Sequence, residues 1–446
     1  MSAAIDTVTT VPERRGLARG RWIEDWRPED PLFWATTGAR VARRNLILSI
    51  LCEHVGFSVW TLWSVMVLFL GPKYHIDPAG KFLLTAVPAG VGSAVRLPYT
   101  FAVARFGGRN WTVVSALLLL LPTVPTVLLL KPGVSYSTLL VLAAVTGVGG
   151  GNFASSMANI NGFYPQRLKG WALGLNAGGG NIGVAAVQLV ALAVLLTAGA
   201  THPRLVVGVY IPLIVLVALG AALGMDNLRA AANPKRALRD VVRQPHAWVM
   251  SLLYIGTFGS FIGFGFAFGQ VLQVQFAMKP VNAAELTFLG PLIGSLIRPL
   301  GGALADRLGG ARVTAANFVA MAASAGLVLL ASGQHSKPLF LVGFIALFTF
   351  SGIGNGSTYK MIPAIFKAKL PDRAAEAARL SGALIGIAGA VGAFGGVLVN
   401  VAFRQSFLTY HTGAAAYLAF IACYAVCFLV TWAVYLRAWR YRLPGV

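Results

Sequence analysis

Two arginines, Arg96 and Arg298, are the residues of this sequence best placed to do chemistry. Each stands in an apolar stretch and precedes a second arginine, Arg105 or Arg307, by nine positions. The surrounding segments repeat. SAVRLPYTFAVARFGG at 93–108 and SLIRPLGGALADRLGG at 295–310 share Ser-x-x-Arg-x8-Arg-x-Gly-Gly at an offset of 202. On a helix, nine residues span about 13.5 Å, close to half of a ~30 Å hydrocarbon layer. With the second arginine at a membrane surface, the first lies near the midplane. A charge there costs at least about 2.5–3.5 kcal/mol, so it faces a cavity or a pathway. A guanidinium is planar, presents paired donors and stays charged at physiological pH. Two of them, one per repeat, suit one small planar oxyanion.

Other polar groups sit in similar surroundings. Asn152, Asn176 and Asn181 are embedded in the glycine-rich runs GVGGGNFASSMANING (147–162) and GWALGLNAGGGNIG (170–183); a third run is GALIGIAGAVGAFGG (382–396). Small residues let helix backbones approach closely in a membrane, while a buried amide needs partners and can donate to an anion. Glu53, beside His54 in LILSILCEHVGFSVW (46–60), is either a structural hydrogen-bonding group or a proton-coupling residue, because a carboxylate inside a membrane can load and unload a proton. Lys360 reads as a side chain reaching towards the cytoplasm.

The elements that must position these residues are membrane helices. Of 446 residues, 57% are hydrophobic and only 11% charged, against about 25% charged in a soluble chain. Residues 111–130, 206–225 and 414–436 carry no charge, and about 20 apolar residues suffice to cross a bilayer as a helix. These runs are apolar all round, unlike the alternating strands of a membrane barrel. The expected spans are 45–70, 80–104, 110–130, 135–160, 170–198, 202–224, 247–275, 284–305, 311–332, 338–365, 378–402 and 414–436. This gives an all-α membrane protein with a cytoplasmic segment 1–44, a six-helix half 45–224, a cytoplasmic linker 225–246, a second half 247–436 and a tail 437–446. Of the 36 Lys and Arg residues, 26 fall on the side of the termini and seven on the other, which places both termini in the cytoplasm. The net charge of +22 is thereby explained without nucleic acid. Cys52, Cys423 and Cys427 lie in apolar segments and form no disulfide framework, and the polar first 30 residues lack the apolar core of a cleavable signal. A second echo, GVGGGNF at 147–153 against GIGNGST at 352–358, has an offset of 205. Parallel six-helix repeats suit a transporter that rocks about a midplane site.

GALADRLGGAR at 302–312 resembles the loop motif of the major facilitator superfamily, in which Asp306 and Arg307 would latch one conformation; Ala104 stands where the first repeat would carry the acid. More specifically, the chain resembles the nitrate/nitrite porters of that superfamily. The resemblance rests on GWALGLNAGGGN (170–181), residues 147–161, Arg96 with Arg298, YIGTFGSFIGFGF (254–266) and GIGNGSTYKMIP (352–363), and it covers most of the chain. It implies the major facilitator fold, with nitrate and nitrite as substrates clasped by Arg96 and Arg298. It also implies that Phe153 and Phe258 sandwich the planar anion and that Asn181 and Tyr254 supply polar contacts.

The expected function is secondary active transport across the cytoplasmic (inner) membrane by alternating access, as a monomer. Symport of nitrate with protons through Glu53 is the favoured coupling. Exchange of nitrate for nitrite is the alternative, and an anion channel a more distant one. No metal or cofactor is expected, and no enzyme activity: the sequence holds no H-E-x-x-H, no Cys/His cluster of metal spacing and no assignable Ser/His/Asp set.

Overall fold

In the computed structural model, which describes residues 21–229, 234–437, 443 and 446, the chain is almost wholly helical. Twelve long helices make up most of the described residues: α1 (Pro31–Phe69), α2 (Pro78–Phe106), α3 (Gly108–Leu129), α4 (Tyr136–Phe163), α5 (Gln166–Thr197), α6 (Pro203–Gly224), α7 (Pro245–Phe276), α8 (Pro280–Leu308), α9 (Gly310–Gly333), α10 (Lys337–Lys369), α11 (Ala374–Tyr410) and α12 (Ala414–Leu436); a short helix, Pro234–Val242, lies in the linker. Eleven are long and apolar enough to cross a membrane. The other, α2, has 29 residues and so reaches about 43 Å. Lys81, Arg96 and Arg105 make it less apolar. Of the expected cytoplasmic segments, residues 1–20, 230–233 and most of 438–446 lie outside the described residues.

Helix starts follow local chemistry. Proline opens α1, α2, α6, α7 and α8, where its missing N–H costs nothing. Asp30 and Asp77 cap α1 and α2 through their side chains. The Asp30 cap starts α1 at Pro31 rather than at residue 45: Arg40, Arg43 and Arg44 lie on a helix that continues beyond its apolar run. The Gly-Gly pair of the repeated motif has a conformational reason. Gly107 and Gly309 end α2 and α8 with φ of 86° and 93°, a region that a side chain would strain. The next helix therefore begins at once, at Gly108 or Gly310.

Glycines also set how the helices of each half cross. A Cβ on Gly150 of α4 would lie 2.8 Å from the Cα of Gly92 on α2, and a Cβ on Gly352 of α10 would lie 2.2 Å from the carbonyl of Gly294 on α8. Both pairs are related by 202 positions, as Arg96 and Arg298 are. A Cβ on Gly147 would also lie 2.9 Å from the N of Gly92, so the crossing fits both this register and the 205-residue echo of GVGGGNF and GIGNGST. Gly352→Leu is expected to abolish folded yield, since a backbone carbonyl cannot give way to the side chain. A monodisperse variant in detergent with the parent's melting temperature would contradict this.

The two halves are packed together around the end of α2 at Pro78 and the end of α11 at Tyr410. Phe82 stacks on Phe403 and Phe407 with centroids 5.7 and 5.5 Å apart, and Thr85 donates to Asn400 at 2.8 Å. Gln270 donates to the carbonyl of Pro78 at 2.6 Å. Towards the other end of α11 the fit loosens. A Cβ on Gly386 would find only Thr100, at 4.0 Å, and one on Gly382 only Asn161, at 3.9 Å.

Candidate functional site

Arg96 and Arg298 stand on α2 and α8, each beside a proline, Pro98 or Pro299, that interrupts the helix ladder. Both side chains are buried, at 1% and 6% exposure. Arg96 spans the halves: its Nε donates to the carbonyl of Gly150 at 3.1 Å and its Nη1 to that of Gly389 at 2.6 Å. Arg298 donates from Nη2 to the Tyr254 hydroxyl at 3.1 Å. Nη2 of Arg96 and Nη1 of Arg298 have no partner. Among the described residues, no carboxylate lies within ion-pair distance of either guanidinium. Two buried guanidinium groups with free donors and no carboxylate in ion-pair distance are an arrangement that can take up an anion.

Aromatic rings enclose Arg96. Its Cζ lies 4.7 Å from the centroid of Phe153, 5.1 Å from Phe258 and 5.2 Å from Trp60, within the range of cation–π attraction. Phe153 and Phe258 are 6.1 Å apart with planes 27° from parallel. Tyr254 stacks on Phe258 at 5.2 Å; Tyr254 immediately precedes a π-helical turn, Ile255–Gly259, in α7, and Phe258 lies within it. Such widened turns often mark functional positions. The structure thus brings Arg96, Arg298, Phe153, Phe258 and Tyr254 together.

Asn181, on α5, makes no hydrogen bond to this group. It is 1% exposed and neither amide atom has a partner. Val184 and Gln188 share its face of α5, and they meet α7 of the other half at Gly265, whose carbonyl accepts from Gln188 at 3.1 Å. Asn181 therefore looks across the interface between the halves. The glycines of α5 serve a different face: Gly179, Gly180 and Gly183 lie against Ile50, Glu53 and the backbone of His54.

Glu53 is not paired with either arginine. Its Oε2 accepts from Asn176 at 2.6 Å and from the Ser156 hydroxyl, while Oε1 has no partner and rests against Gly180. Ser156 lies three residues after Phe153 and donates to its carbonyl at 3.1 Å as well, which links the carboxyl to the aromatic wall. Asp226, the other fully buried carboxylate among the described residues, is held by Arg21, Arg44 and Asn45 at the end of α6. Asp306 forms its ion pair with Lys360 of α10 at 2.9 Å, both side chains about half exposed. Lys360 is thus tied to the loop motif, and a pair this exposed contributes at most about 1 kcal/mol. Arg307 is exposed.

Sequence reasoning did not single out Trp60, Ser156, Asn355 or Tyr359. The Arg298 Cζ lies 5.4 Å from the ring centroid of Tyr359. The hydroxyl of Tyr359 and both amide atoms of Asn355 are buried without a partner. The signal that could have found the last two is their place in GIGNGSTYK, the counterpart of the run holding Phe153.

Known proteins match this chain over most of its length. The model of the Major Facilitator Superfamily matches residues 48–399. The chain is similar to the nitrate/nitrite transporter NarU of Salmonella typhimurium, with 36% identity over 93% of this chain and 96% of that protein. It is also similar to the probable nitrate/nitrite antiporter NarK2 of Thermus thermophilus, with 35% identity over 94% and 98%. Among solved structures, a D-xylose-proton symporter superposes with a TM-score of 0.69 over 91% of this chain and 99% of that one. At 13% identity that likeness concerns the fold alone.

Proposed function

The chain belongs to the major facilitator superfamily and, within it, to the nitrate/nitrite transporters, and on that premise we propose that it carries nitrate and nitrite across the cytoplasmic membrane by alternating access, coupled to protons. The observation that carries this reading is the pair of buried arginines, one per half, each with a free donor and neither with a carboxylate partner. A planar oxyanion between Arg96 and Arg298 satisfies both and ties one half to the other. Its binding energy then favours closure of the halves around it, and its release lets them part. Phe153 and Phe258 present ring faces on which a flat anion lies with little loss of contact, and Tyr254 and Asn181 direct its oxygens.

The excess of Lys and Arg on the side of the termini supports a cytoplasmic location for both. The loose end of the interface, at Gly382 and Gly386, then faces the cytoplasm, and the packed end at Phe82 and Phe407 faces outward. The protein works as a monomer and catalyses no covalent chemistry. Asp306 and its neighbour Arg307 act as a conformational latch, with Lys360 as the basic partner.

Proton coupling rests on Glu53. The arginines do not titrate, so a symporter needs a separate acid near the site. Glu53 supports this role: it is buried, hydrogen-bonded to Ser156 and Asn176, and without a cation partner. Exchange of nitrate for nitrite is the second reading, favoured by the antiporter name of the Thermus relative.

Saturable nitrate uptake into proteoliposomes, competed by nitrite, is the expected result; uptake of neither anion would remove the reading. Asn181→Ala and Tyr254→Phe are each expected to weaken binding by roughly 1.5–3 kcal/mol, the worth of a hydrogen bond to a charged group. Phe258→Ala is expected to weaken it as well, through lost stacking. Binding isotherms of these variants that overlay the parent's would take the residues out of the site.

A further inference from the structure

We propose that Asn355 is a specificity-determining contact of the second half, its amide reaching the oxygen by which a trigonal oxyanion differs from a bent one. This rests on the nitrate/nitrite reading above and concerns how the site tells the two anions apart.

The placement comes from packing. Along α10, Gly352 and Gly356 lie against the backbone of α8, the second directly at the carbonyl of Arg298, while Gly354 and Thr358 lie against Thr257 of α7. At about 100° per residue, Asn355 projects from the face between these two contacts, towards the wedge that α7 and α8 form. Tyr359, one turn on, shares that face, and its ring lies beneath the Arg298 guanidinium. Tyr254 closes the same space, 6.5 Å from Tyr359.

The register of the halves agrees. In the 202-residue register that relates Arg96 to Arg298, Asn355 is the counterpart of Phe153, and the pairs Gly150 with Gly92 and Gly352 with Gly294 fit that register. Phe153 covers Arg96 with its ring face. Asn355 therefore stands towards Arg298 as Phe153 stands towards Arg96. The site is asymmetric: Arg96 is walled by Trp60, Phe153 and, from the second half, Phe258, whereas Arg298 meets the Tyr254 hydroxyl and the Tyr359 ring, with Asn355 on the same face of α10 as Tyr359.

Chemistry assigns the role. Asn355 is 1% exposed, and neither Nδ2 nor Oδ1 has a partner. An anion only accepts, so Nδ2 turns to the ligand. Oδ1 is then free to accept from Arg298 Nη1 or the Tyr359 hydroxyl, both themselves unpartnered. Two guanidinium groups on opposite sides engage two oxygens. Nitrate has a third at 120° to the others, and nitrite has none. A site built to hydrogen-bond a group discriminates strongly against the analogue that lacks it.

The test is titration of purified protein with potassium nitrate and potassium nitrite, for the parent and for Asn355→Leu, which keeps the volume and removes the amide. The expected result is a loss of roughly tenfold or more in nitrate affinity with nitrite affinity within about threefold of the parent. Asn355→Ser, which keeps a donor, is expected to fall between the two and serves if the leucine variant does not fold. Unchanged nitrate affinity in a folded variant overturns the proposal. An equal loss for both anions also overturns it, since that marks a general packing role. A parent protein that binds neither anion removes the function proposed above, a result distinct from a variant that leaves the parent's discrimination intact.

Discussion

Replacing Arg96 or Arg298 by lysine is expected to abolish most nitrate transport while leaving the protein folded. Lysine keeps the charge and the long stem, so the helix still inserts. It does not keep the planar fork. At Arg96 the fork does two things at once: Nε and Nη1 hold carbonyls in both halves, at Gly150 and Gly389, and Nη2 stays free for the anion. A single ammonium cannot satisfy all three directions. At Arg298 the fork joins Tyr254 to the ligand in the same way. Each lost charge-assisted bond costs roughly 1.5–3 kcal/mol, or about one to two orders of magnitude in affinity. Flux in proteoliposomes together with a detergent melting curve separates loss of function from loss of fold. Near-normal flux in either variant would remove that arginine from the site.

The second large effect is expected from Glu53→Gln. Glutamine keeps the size and can still meet Ser156 and Asn176, but it cannot titrate. The variant is expected to bind nitrate, because Glu53 makes no contact with either arginine within ion-pair distance. It is also expected to lose uptake driven by a proton gradient alone, and to retain nitrate counterflow between equal internal and external pools. Accumulation of nitrate by the variant against its gradient, with only a proton gradient supplied, would make Glu53 a structural residue. A parent protein that ignores the proton gradient and moves nitrate only against internal nitrite would replace symport by exchange.

What the sequence reveals of this molecule is what a single helix encodes. Apolar runs, capping residues and the charge of Arg96 at mid-span are local properties, and membrane insertion forces them into one arrangement. The Arg-x-Gly-Gly ends are legible for the same reason, since positive φ at Gly107 and Gly309 is a property of the chain there. What depends on two helices at once is hidden. Asn355 reads as one polar residue in an apolar run until α7 and α8 show which wedge it enters. Lys360 carries no trace in its neighbours of the ion pair it makes with Asp306. The start of α1 is hidden for a local reason: Arg40, Arg43 and Arg44 signal the membrane surface, and a helix can continue past that surface without an apolar run to mark it.

The central claim is that nitrate crosses the membrane through the site between Arg96 and Arg298. The most direct measurement is labelled nitrate uptake into proteoliposomes holding buffer, nitrate or nitrite, each with and without an inward proton gradient, for the parent and for Arg96→Lys. Saturable uptake by the parent into nitrite-free vesicles, raised by the proton gradient and absent in the variant, is the predicted result. Equal flux through parent and variant, or no saturable nitrate flux by the parent under any of the six conditions, would contradict it.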